Sequence, residues 1–217
     1  MPNASIRAVL WDFGGVMTES PFPAFRQFEK HHGLPTDFLR GINARNQDHN
    51  AWARFERSEL SPQQFDEAFA EESRQAGYEV RGLDVIDLLY GEIRPAMVLA
   101  LMKCKPHFAN ACVTNNVSAG SGRGAARDPV RAGEWRKVLG LFDIVIESSK
   151  VGIRKPEPRF FELACERLGI SPSQAVYLDD LGANLKPARA MGMRTIRVQE
   201  PEIAILELES ILQVRLS

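Results

Sequence analysis

The stretch AVLWDFGGVMTES, residues 8–20, decides how the rest of the chain is interpreted. It begins with apolar residues suited to a buried strand, reaches one acidic residue, Asp12, and then turns through Gly14 and Gly15. A carboxylate at the end of a buried strand costs free energy unless a partner or a ligand compensates for its charge. The position of Asp12 therefore marks it as a candidate functional residue.

Composition limits the class of protein. The chain has 217 residues, of which 44% are hydrophobic, so it can bury a core as one domain or as one domain with an insertion. Its 27 basic and 28 acidic residues leave a net charge of -1, and we expect neither nucleic acid nor membrane as a partner. The apolar runs are too short to span a bilayer.

The N-terminus and the cysteines suggest a cytoplasmic protein. The first ten residues, MPNASIRAVL, lack the basic start and the long apolar run of a signal peptide. Cys104, Cys112 and Cys165 are an odd number without paired spacing, so we expect them to be reduced and buried rather than catalytic or metal-binding.

Five short apolar runs predict the strands of a sheet. They are rich in Val and Ile and nearly continuous, which is typical of parallel strands buried on both faces. They cover residues 6–13, 108–114, 142–148, 175–180 and 193–199. Helical patterns alternate with them, so the predicted fold class is α/β, with a Rossmann-like parallel sheet as its core. In the helical pattern GANLKPARAMG, Pro187 is expected early in the helix or at a kink.

One segment interrupts the alternation. Residues 17–91 contain four helical patterns and no convincing strand, which predicts a small helical cap inserted into a core of residues 1–16 and 92–217. Residues 117–135 are rich in Gly, Ala and Arg and predict a mobile surface loop that leads into a helix.

Polar residues lie at the ends of three of the predicted strands. The first strand ends in Asp12, the second in Thr114 and Asn115, and the fourth in Asp179 and Asp180. Each alone could be an ordinary turn residue or helix cap. Because ligands of open α/β sheets bind beyond the carboxyl ends of the strands, the coincidence favours a binding site there.

The residue types indicate what such a site would hold. Several carboxylates at one edge repel one another, and a divalent cation such as Mg²⁺ relieves that repulsion. Lys155, which alone would suggest only a solvated surface lysine, supplies an ammonium before Pro156 at a helix start. An ammonium, a hydroxyl and an amide suit a phosphate, and Gly14 and Gly15 would let backbone N–H groups approach it.

These residues resemble the motifs of the haloacid dehalogenase-like hydrolase superfamily. DFGGV at residues 12–16 resembles its first motif, Thr114 the second, Lys155 the third, and DDLGAN at residues 179–184 the fourth. The stretches VGIRKPEPRFF and AVYLDDLGANLKPARAMGMRTIRV are similar to the phosphatase domain of soluble epoxide hydrolases. They are also similar to the related domain fused to some acyl-CoA dehydrogenases. The superfamily places a small helical cap where residues 17–91 lie.

The resemblance implies a mechanism and the role of each residue. Asp12 would attack phosphorus and form an aspartyl-phosphate, while Thr114 and Lys155 would hold the transferred phosphoryl oxygens. Mg²⁺ would bind the Asp12 carboxylate, the Gly14 carbonyl and Asp180, with Asp179 close by. The other residues that the resemblance implies at the site are Gly15 and Asn115 as substrate-binding groups and Asn184 in support.

The first motif departs from the family pattern in one place. The family has a second aspartate two residues after the nucleophile, where it acts as general acid and base, and this chain has Gly14. Residues of the cap or its hinge could replace the acid, although each could equally be an ordinary surface residue. The candidates are Glu19, His31, His32 and His49.

The leading functional hypothesis is a Mg²⁺-dependent phosphatase acting on a small phosphorylated metabolite. A haloacid dehalogenase needs no metal and has little use for the paired carboxylates of YLDD. Gly14 argues against a phosphotransferase or mutase, which must shuttle a proton. A regulatory module that binds phosphate with little turnover is the alternative that the missing acid favours. The sequence leaves the substrate and the oligomeric state open.

Overall fold

A parallel five-stranded sheet forms the centre of the protein. The computed structural model describes residues 5–117 and 129–216. The strands are β1 (Ala8–Trp11), β2 (Ala109–Thr114), β3 (Ile144–Glu147), β4 (Ala175–Asp179) and β5 (Arg194–Arg197). All five lie within the predicted runs, and the sheet order β3-β2-β1-β4-β5 confirms the Rossmann-like α/β class. The central strand β1 has β2 on one side and β4 on the other, so the strand order reverses at β1. Open α/β sheets bind ligands beyond the carboxyl ends of the strands at such a point.

Helices connect the strands. Those between β1 and β2 are α1 (Phe22–His31), α2 (Phe38–Ala44), α3 (Ala51–Glu56), α4 (Pro62–Gln75), α5 (Gly82–Ile86) and α6 (Pro95–Cys104). After β2 come α7 (Pro129–Leu139), α8 (Ser148–Val151), α9 (Pro158–Leu168), α10 (Gly182–Ala190) and α11 (Pro201–Leu212). Short 3-10 helices cover Asp87–Leu89 and Pro172–Gln174. Pro187 lies inside α10 and not early in it, so the first of the two expectations is wrong and the kink stays a prediction.

Each face of the sheet buries its own apolar cluster. Successive side chains of a strand point to opposite faces, so Val9 and Trp11 of β1 pack on one side and Ala8 and Leu10 on the other. Helices α6 and α11 cover the first face, and α9 and α10 cover the second. Because both faces are covered, the inner strands β1, β2 and β4 are buried almost throughout, which is why they are nearly continuously apolar in sequence, while the edge strands β3 and β5 are only partly buried.

The helices from α1 to α5 bury a third cluster. Five of its twelve buried residues are phenylalanines, and the rings of Phe55 and Phe65 are stacked 4.4 Å apart. We call residues 22–91 the helical insert. Its two connections to the sheet run side by side, and Thr18 and Ile93 form an isolated antiparallel bridge between them. The boundaries of the cap and core remain predictions.

Two further sequence expectations concern a surface loop and membrane-spanning segments. The predicted surface loop within residues 117–135 falls largely on residues 118–128, which lie outside the described residues, and the helix that follows it begins at Pro129. Among the helices that the structure describes, none is both long and apolar enough to cross a membrane.

Candidate active site

Three carboxylates meet at the carboxyl edge of the sheet. Asp12 directly follows β1, Asp179 ends the neighbouring strand β4, and Asp180 is the next residue. One oxygen from each of the three lies within 4.8 Å of the others, although Asp12 is more than 160 positions from the other two in the chain. Because parallel strands end together, the register of β1 against β4 is what assembles this acidic cluster.

Lys155 lies buried between two of these carboxylates. Its loop connects α8 to α9, and its side chain is 1% exposed. The Nζ atom is 2.8 Å from Asp12 Oδ1 and 2.9 Å from Asp179 Oδ2. Burial lowers the pKa of Lys155, but the two carboxylates more than offset it, and the pKa rises above its ordinary value. The side chain is therefore a permanent ammonium at neutral pH.

Asp179 has its oxygens occupied by protein donors. It is fully buried and accepts hydrogen bonds from Lys155 Nζ, the Tyr177 hydroxyl, the backbone N–H of Leu181 and the Asn184 amide. A buried carboxylate needs such partners, and these donors hold its orientation. Asp179 thus connects the Lys155 ammonium to the strand and to helix α10.

Asp12 and Asp180 are less completely neutralised. Burial raises the pKa of Asp12 well above its ordinary value, Lys155 lowers it, and Asp179 and Asp180 raise it again. Burial, followed by repulsion from Asp179, raises the pKa of Asp180 to about 6. Three carboxylates thus share one ammonium, and this excess of buried negative charge would be relieved by a cation.

The turn after Asp12 explains one of its two glycines. Gly15 has φ +76°, and a Cβ at this residue would lie 2.4 Å from the Asp180 carboxylate, so only glycine fits. Gly14 is exposed, and a Cβ there would meet nothing within 4 Å. Arg94 helps to hold the turn, since its Nη1 donates to the Gly15 carbonyl at 2.9 Å.

The other residues that the sequence predicted for the site lie partly around the acidic cluster and partly on the surface. Thr114 is buried at the end of β2, beside the central strand. The Asn115 side chain is turned to the backbone of Lys155, donating to its carbonyl and accepting from its N–H. Asn184 is buried against Asp179. The four candidate replacements for the general acid, Glu19, His31, His32 and His49, are all exposed.

Sequence reasoning missed Glu56, Tyr177, Arg94 and Arg154, which contact the site or its supports. Tyr177 could have been found, because it is two residues before Asp179 on one strand and so shares its face. Glu56 lies in the helical insert, 98 positions from its partner Arg154, and no local pattern marks either residue. Arg94 looks like the ordinary start of a proline-led helix.

A parallel α/β sheet with an acidic cluster and a buried lysine at its carboxyl edge defines the class of this protein. The chain belongs to the haloacid dehalogenase-like hydrolases, whose family model matches residues 6–192. The fold and the family that the sequence predicted are therefore confirmed.

Over almost its whole length, the chain resembles a part of two longer proteins. It is 35% identical to mouse acyl-CoA dehydrogenase family member 10 over 96% of the chain and 19% of that protein. It is 31% identical to mouse bifunctional epoxide hydrolase 2 over 95% of the chain and 39% of that protein. The chain thus spans well under half the length of these relatives.

Other comparisons involve shorter segments or the fold alone. A glyceraldehyde 3-phosphate phosphatase of Methanopyrus kandleri is 32% identical over 39% of both chains. An (S)-2-haloacid dehalogenase of Pseudomonas is 32% identical over 33% of this chain and 30% of its own. A HAD family enzyme from Bacteroides thetaiotaomicron, solved with magnesium and inorganic phosphate, is 19% identical with a TM-score of 0.57, covering 89% of this chain and 94% of its own. Relatives thus include both phosphatases and a dehalogenase.

Proposed function

We propose that this hydrolase is a Mg²⁺-dependent phosphatase that acts on a small phosphorylated metabolite through an aspartyl-phosphate on Asp12. The observation that carries the proposal is the arrangement of Asp12, whose carboxylate has the Lys155 ammonium 2.8 Å away and the Asp180 carboxylate in the same cluster. A nucleophile, a fixed positive charge and a set of oxygen ligands are the parts that phosphoryl transfer requires.

The donor set suits Mg²⁺. Asp12 and Asp180 offer carboxylate oxygens, the Gly14 carbonyl is the third candidate ligand, and oxygen donors are what this hard cation prefers. Asp179 is better suited to support than to ligation, because its oxygens already accept several hydrogen bonds. Bound Mg²⁺ would supply positive charge to the phosphoryl oxygens and relieve the repulsion among the carboxylates.

The residues of this chain supply the nucleophile and the charge stabilisation for both halves of the reaction, and the protons are exchanged with solvent. An Asp12 oxygen attacks phosphorus, the bond from phosphorus to the substrate oxygen breaks, and that oxygen leaves with its electron pair and takes a proton from water. Water then attacks phosphorus and gives up a proton to solvent, the bond from phosphorus to Asp12 breaks, and inorganic phosphate and the free Asp12 carboxylate are released. Lys155 and Thr114 hold the phosphoryl oxygens, and the raised pKa of Lys155 keeps its charge in place throughout.

Two other functions compete with this one. Dehalogenation on the same fold is represented among the relatives, but the cluster of three buried carboxylates favours a cation site. A phosphate-binding module with little turnover is favoured by the open space at Gly14, where no acidic side chain is present. The Asp12 carboxylate beside the Lys155 ammonium favours turnover instead, because a protein that only binds phosphate has no need of a nucleophile.

Phosphate release from a panel of sugar, nucleotide, acyl and lipid phosphates tests the proposal. We expect release in Mg²⁺, loss of release in excess chelator, and recovery when Mg²⁺ is restored. Asp180→Asn should sharply raise the Mg²⁺ concentration required, because it removes one anionic ligand. Full phosphate release in excess chelator would refute the metal assignment, whereas release of chloride from 2-chloropropionate with no phosphate release from the panel would favour the dehalogenase alternative.

Covalent catalysis at Asp12 is tested separately. Asp12→Asn removes the nucleophilic charge with little change in shape, so turnover should be lost while circular dichroism remains that of the wild type. Beryllium fluoride should occupy the wild-type site as a mimic of the aspartyl-phosphate. Normal turnover by Asp12→Asn would exclude this residue as the nucleophile.

A further inference from the structure

A cluster of hydrogen bonds joins the helical insert to the loop that carries Lys155. Glu56, the last residue of α3, is 7% exposed, and its carboxylate reaches out of the insert to the core. Its Oε2 accepts from Arg154 Nε at 2.5 Å and from Asn115 Nδ2 at 3.1 Å, while Oε1 accepts from Trp52 Nε1 at 2.9 Å. A carboxylate buried this far must be held by such donors.

Asn115 transmits this contact to Lys155. Its Oδ1 accepts from the Lys155 backbone N–H at 2.8 Å, and its Nδ2 donates to the Lys155 carbonyl at 3.0 Å. The second Nδ2 hydrogen points to Glu56. An amide rotated by half a turn would set its oxygen against the Glu56 carboxylate and its N–H₂ against the Lys155 N–H, so Glu56 favours the orientation that clamps Lys155.

Arg154 provides a second connection, because it directly precedes Lys155. Its guanidinium bonds Glu56 and also donates from Nη1 to the Gln47 carbonyl at 3.2 Å, so both of its partners belong to the insert. The side chains of Arg154 and Glu56 are 14% and 9% exposed, which places the pair where water screens it little. Lys155 is thus tied to the insert on its N-terminal side and through its own peptide.

We propose that Glu56 is a positioning residue for the active site, which sets the place of the Lys155 ammonium through Asn115 and Arg154. The Lys155 ammonium must lie within hydrogen-bond distance of both Asp12 and Asp179, and a displacement of about 1 Å at such a site can cost 10²-fold in rate. The site is fully assembled only while the insert is seated on the loop. This inference rests on the proposed function of Lys155.

Glu56→Gln is the principal test, because it keeps the size of the side chain and removes its charge. With p-nitrophenyl phosphate and Mg²⁺, we expect kcat to fall about tenfold or more while KM changes by less than about threefold, since Lys155 acts on the transferring group. Arg154→Gln should have the same effect, and the double variant should be no slower than the worse single variant, because both act through one network. Additive losses would contradict the shared network.

Asp66→Asn is the matched control. Asp66 is also a carboxylate of the insert, its side chain is 8% exposed, and it pairs with Arg81 and accepts from the Leu83 N–H at 3.0 Å, all within the insert. Removing its charge should lower the stability of the insert without changing kcat. Equal losses of kcat in Glu56→Gln and Asp66→Asn would mean that Glu56 acts only through stability, and the proposal would be wrong.

Labelling of Lys155 tests the positioning without any turnover. Reductive methylation followed by mass spectrometry should leave buried Lys155 unmodified in the wild type, with Lys150, whose side chain is 72% exposed, as the internal reference. Glu56→Gln and Arg154→Gln should increase the labelling of Lys155, and Asp66→Asn should not. Unchanged protection in both variants would overturn the proposal, whereas a wild type that releases no phosphate would refute only the proposed function.

Discussion

Gly14 is the residue at which the chemistry of this chain differs most from the pattern of its first motif. A general acid contributes about 10²–10⁴-fold by protonating the leaving group, and it matters most for basic alkoxides. Aryl and acyl phosphates have stable leaving groups that depart without it. For the proposed phosphatase, Gly14 therefore predicts that kcat/KM falls steeply as the pKa of the leaving group rises.

Gly14→Asp should speed the hydrolysis of alkyl phosphates more than that of aryl phosphates. The structure allows this substitution, since a Cβ at Gly14 would meet nothing within 4 Å. The measurement is kcat/KM against the pKa of the leaving group, for the wild type and the variant. A flat dependence in the wild type would show that another group already donates the proton.

Gly15, unlike Gly14, should not tolerate a side chain. Gly15→Ala strains a backbone at φ +76° and drives the new Cβ into the Asp180 carboxylate, whereas Gly33→Ala, at φ +64°, meets only open space. We expect Gly33→Ala to cost about 1–2 kcal/mol in free energy of unfolding and Gly15→Ala to cost more, because overpacking is added to the same strain. Urea unfolding measures both.

Mg²⁺ titration of the same two variants distinguishes an effect on the proposed metal site from an effect on stability. Gly15→Ala should weaken Mg²⁺ binding, because Asp180 must turn away from the new methyl group, and Gly33→Ala should leave it unchanged. Similar Mg²⁺ affinities in the two variants would show that Asp180 is not held against Gly15 when the cation binds.

At the scale of elements, helix α3 depends on its first turn. Asn50 is 4% exposed, its side chain accepts from the Ala53 N–H at 2.8 Å, and its Nδ2 donates to the carbonyls of Asn43 and Arg45. One side chain thus caps α3 and closes the preceding loop. Since a helix of six residues has little stability of its own, the cap is what keeps Glu56 in place.

Asn50→Ala should cost about 2–3 kcal/mol in free energy of unfolding, because it removes a helix cap and the two hydrogen bonds that Nδ2 donates to the Asn43 and Arg45 carbonyls. Ser61→Ala is the control, since it removes the exposed capping box of α4 and should cost about 1 kcal/mol. Urea unfolding gives both values. Equal costs would show that the loop closed by Asn50 contributes nothing beyond capping.

The sequence predicted all five strands, but it did not predict where Pro187 lies in α10. Apolar runs marked all five strands because both faces of the sheet are covered, and the polar residues at the ends of the first, second and fourth runs marked the edge where ligands bind. Pro187 was expected early in α10 or at a kink, and it lies in the interior of the helix, where propensity argues against proline and packing of α10 on the sheet overrides it.

At the scale of the whole molecule, the proposed Mg²⁺ site would couple metal binding to folding. Three carboxylates and one ammonium come together only in the folded chain, so the proposed site predicts that Mg²⁺ binds the native state in preference to the unfolded one. Mg²⁺ at 100 times its dissociation constant should then stabilise the protein by about 2.7 kcal/mol.

This stabilisation should appear as a rise in Tm of about 5–10 °C, since each kcal/mol shifts the Tm of a domain of this size by about 2–4 °C. Differential scanning calorimetry with and without Mg²⁺ measures it, and Asp180→Asn should show little of the rise. A Tm that does not respond to Mg²⁺ in the wild type would argue against the cation site.

The sequence by itself determined the sheet, the family and the residues at the strand ends, because burial on both faces and polar strand ends leave local patterns. The tertiary structure decided that Gly15 must be glycine, since only folding brings Asp180 against it. It also decided that Asn115 clamps Lys155 and that Glu56 joins Arg154 across 98 positions. No local pattern encodes such pairs, because their partners are chosen by how the insert packs on the sheet rather than by neighbours along the chain.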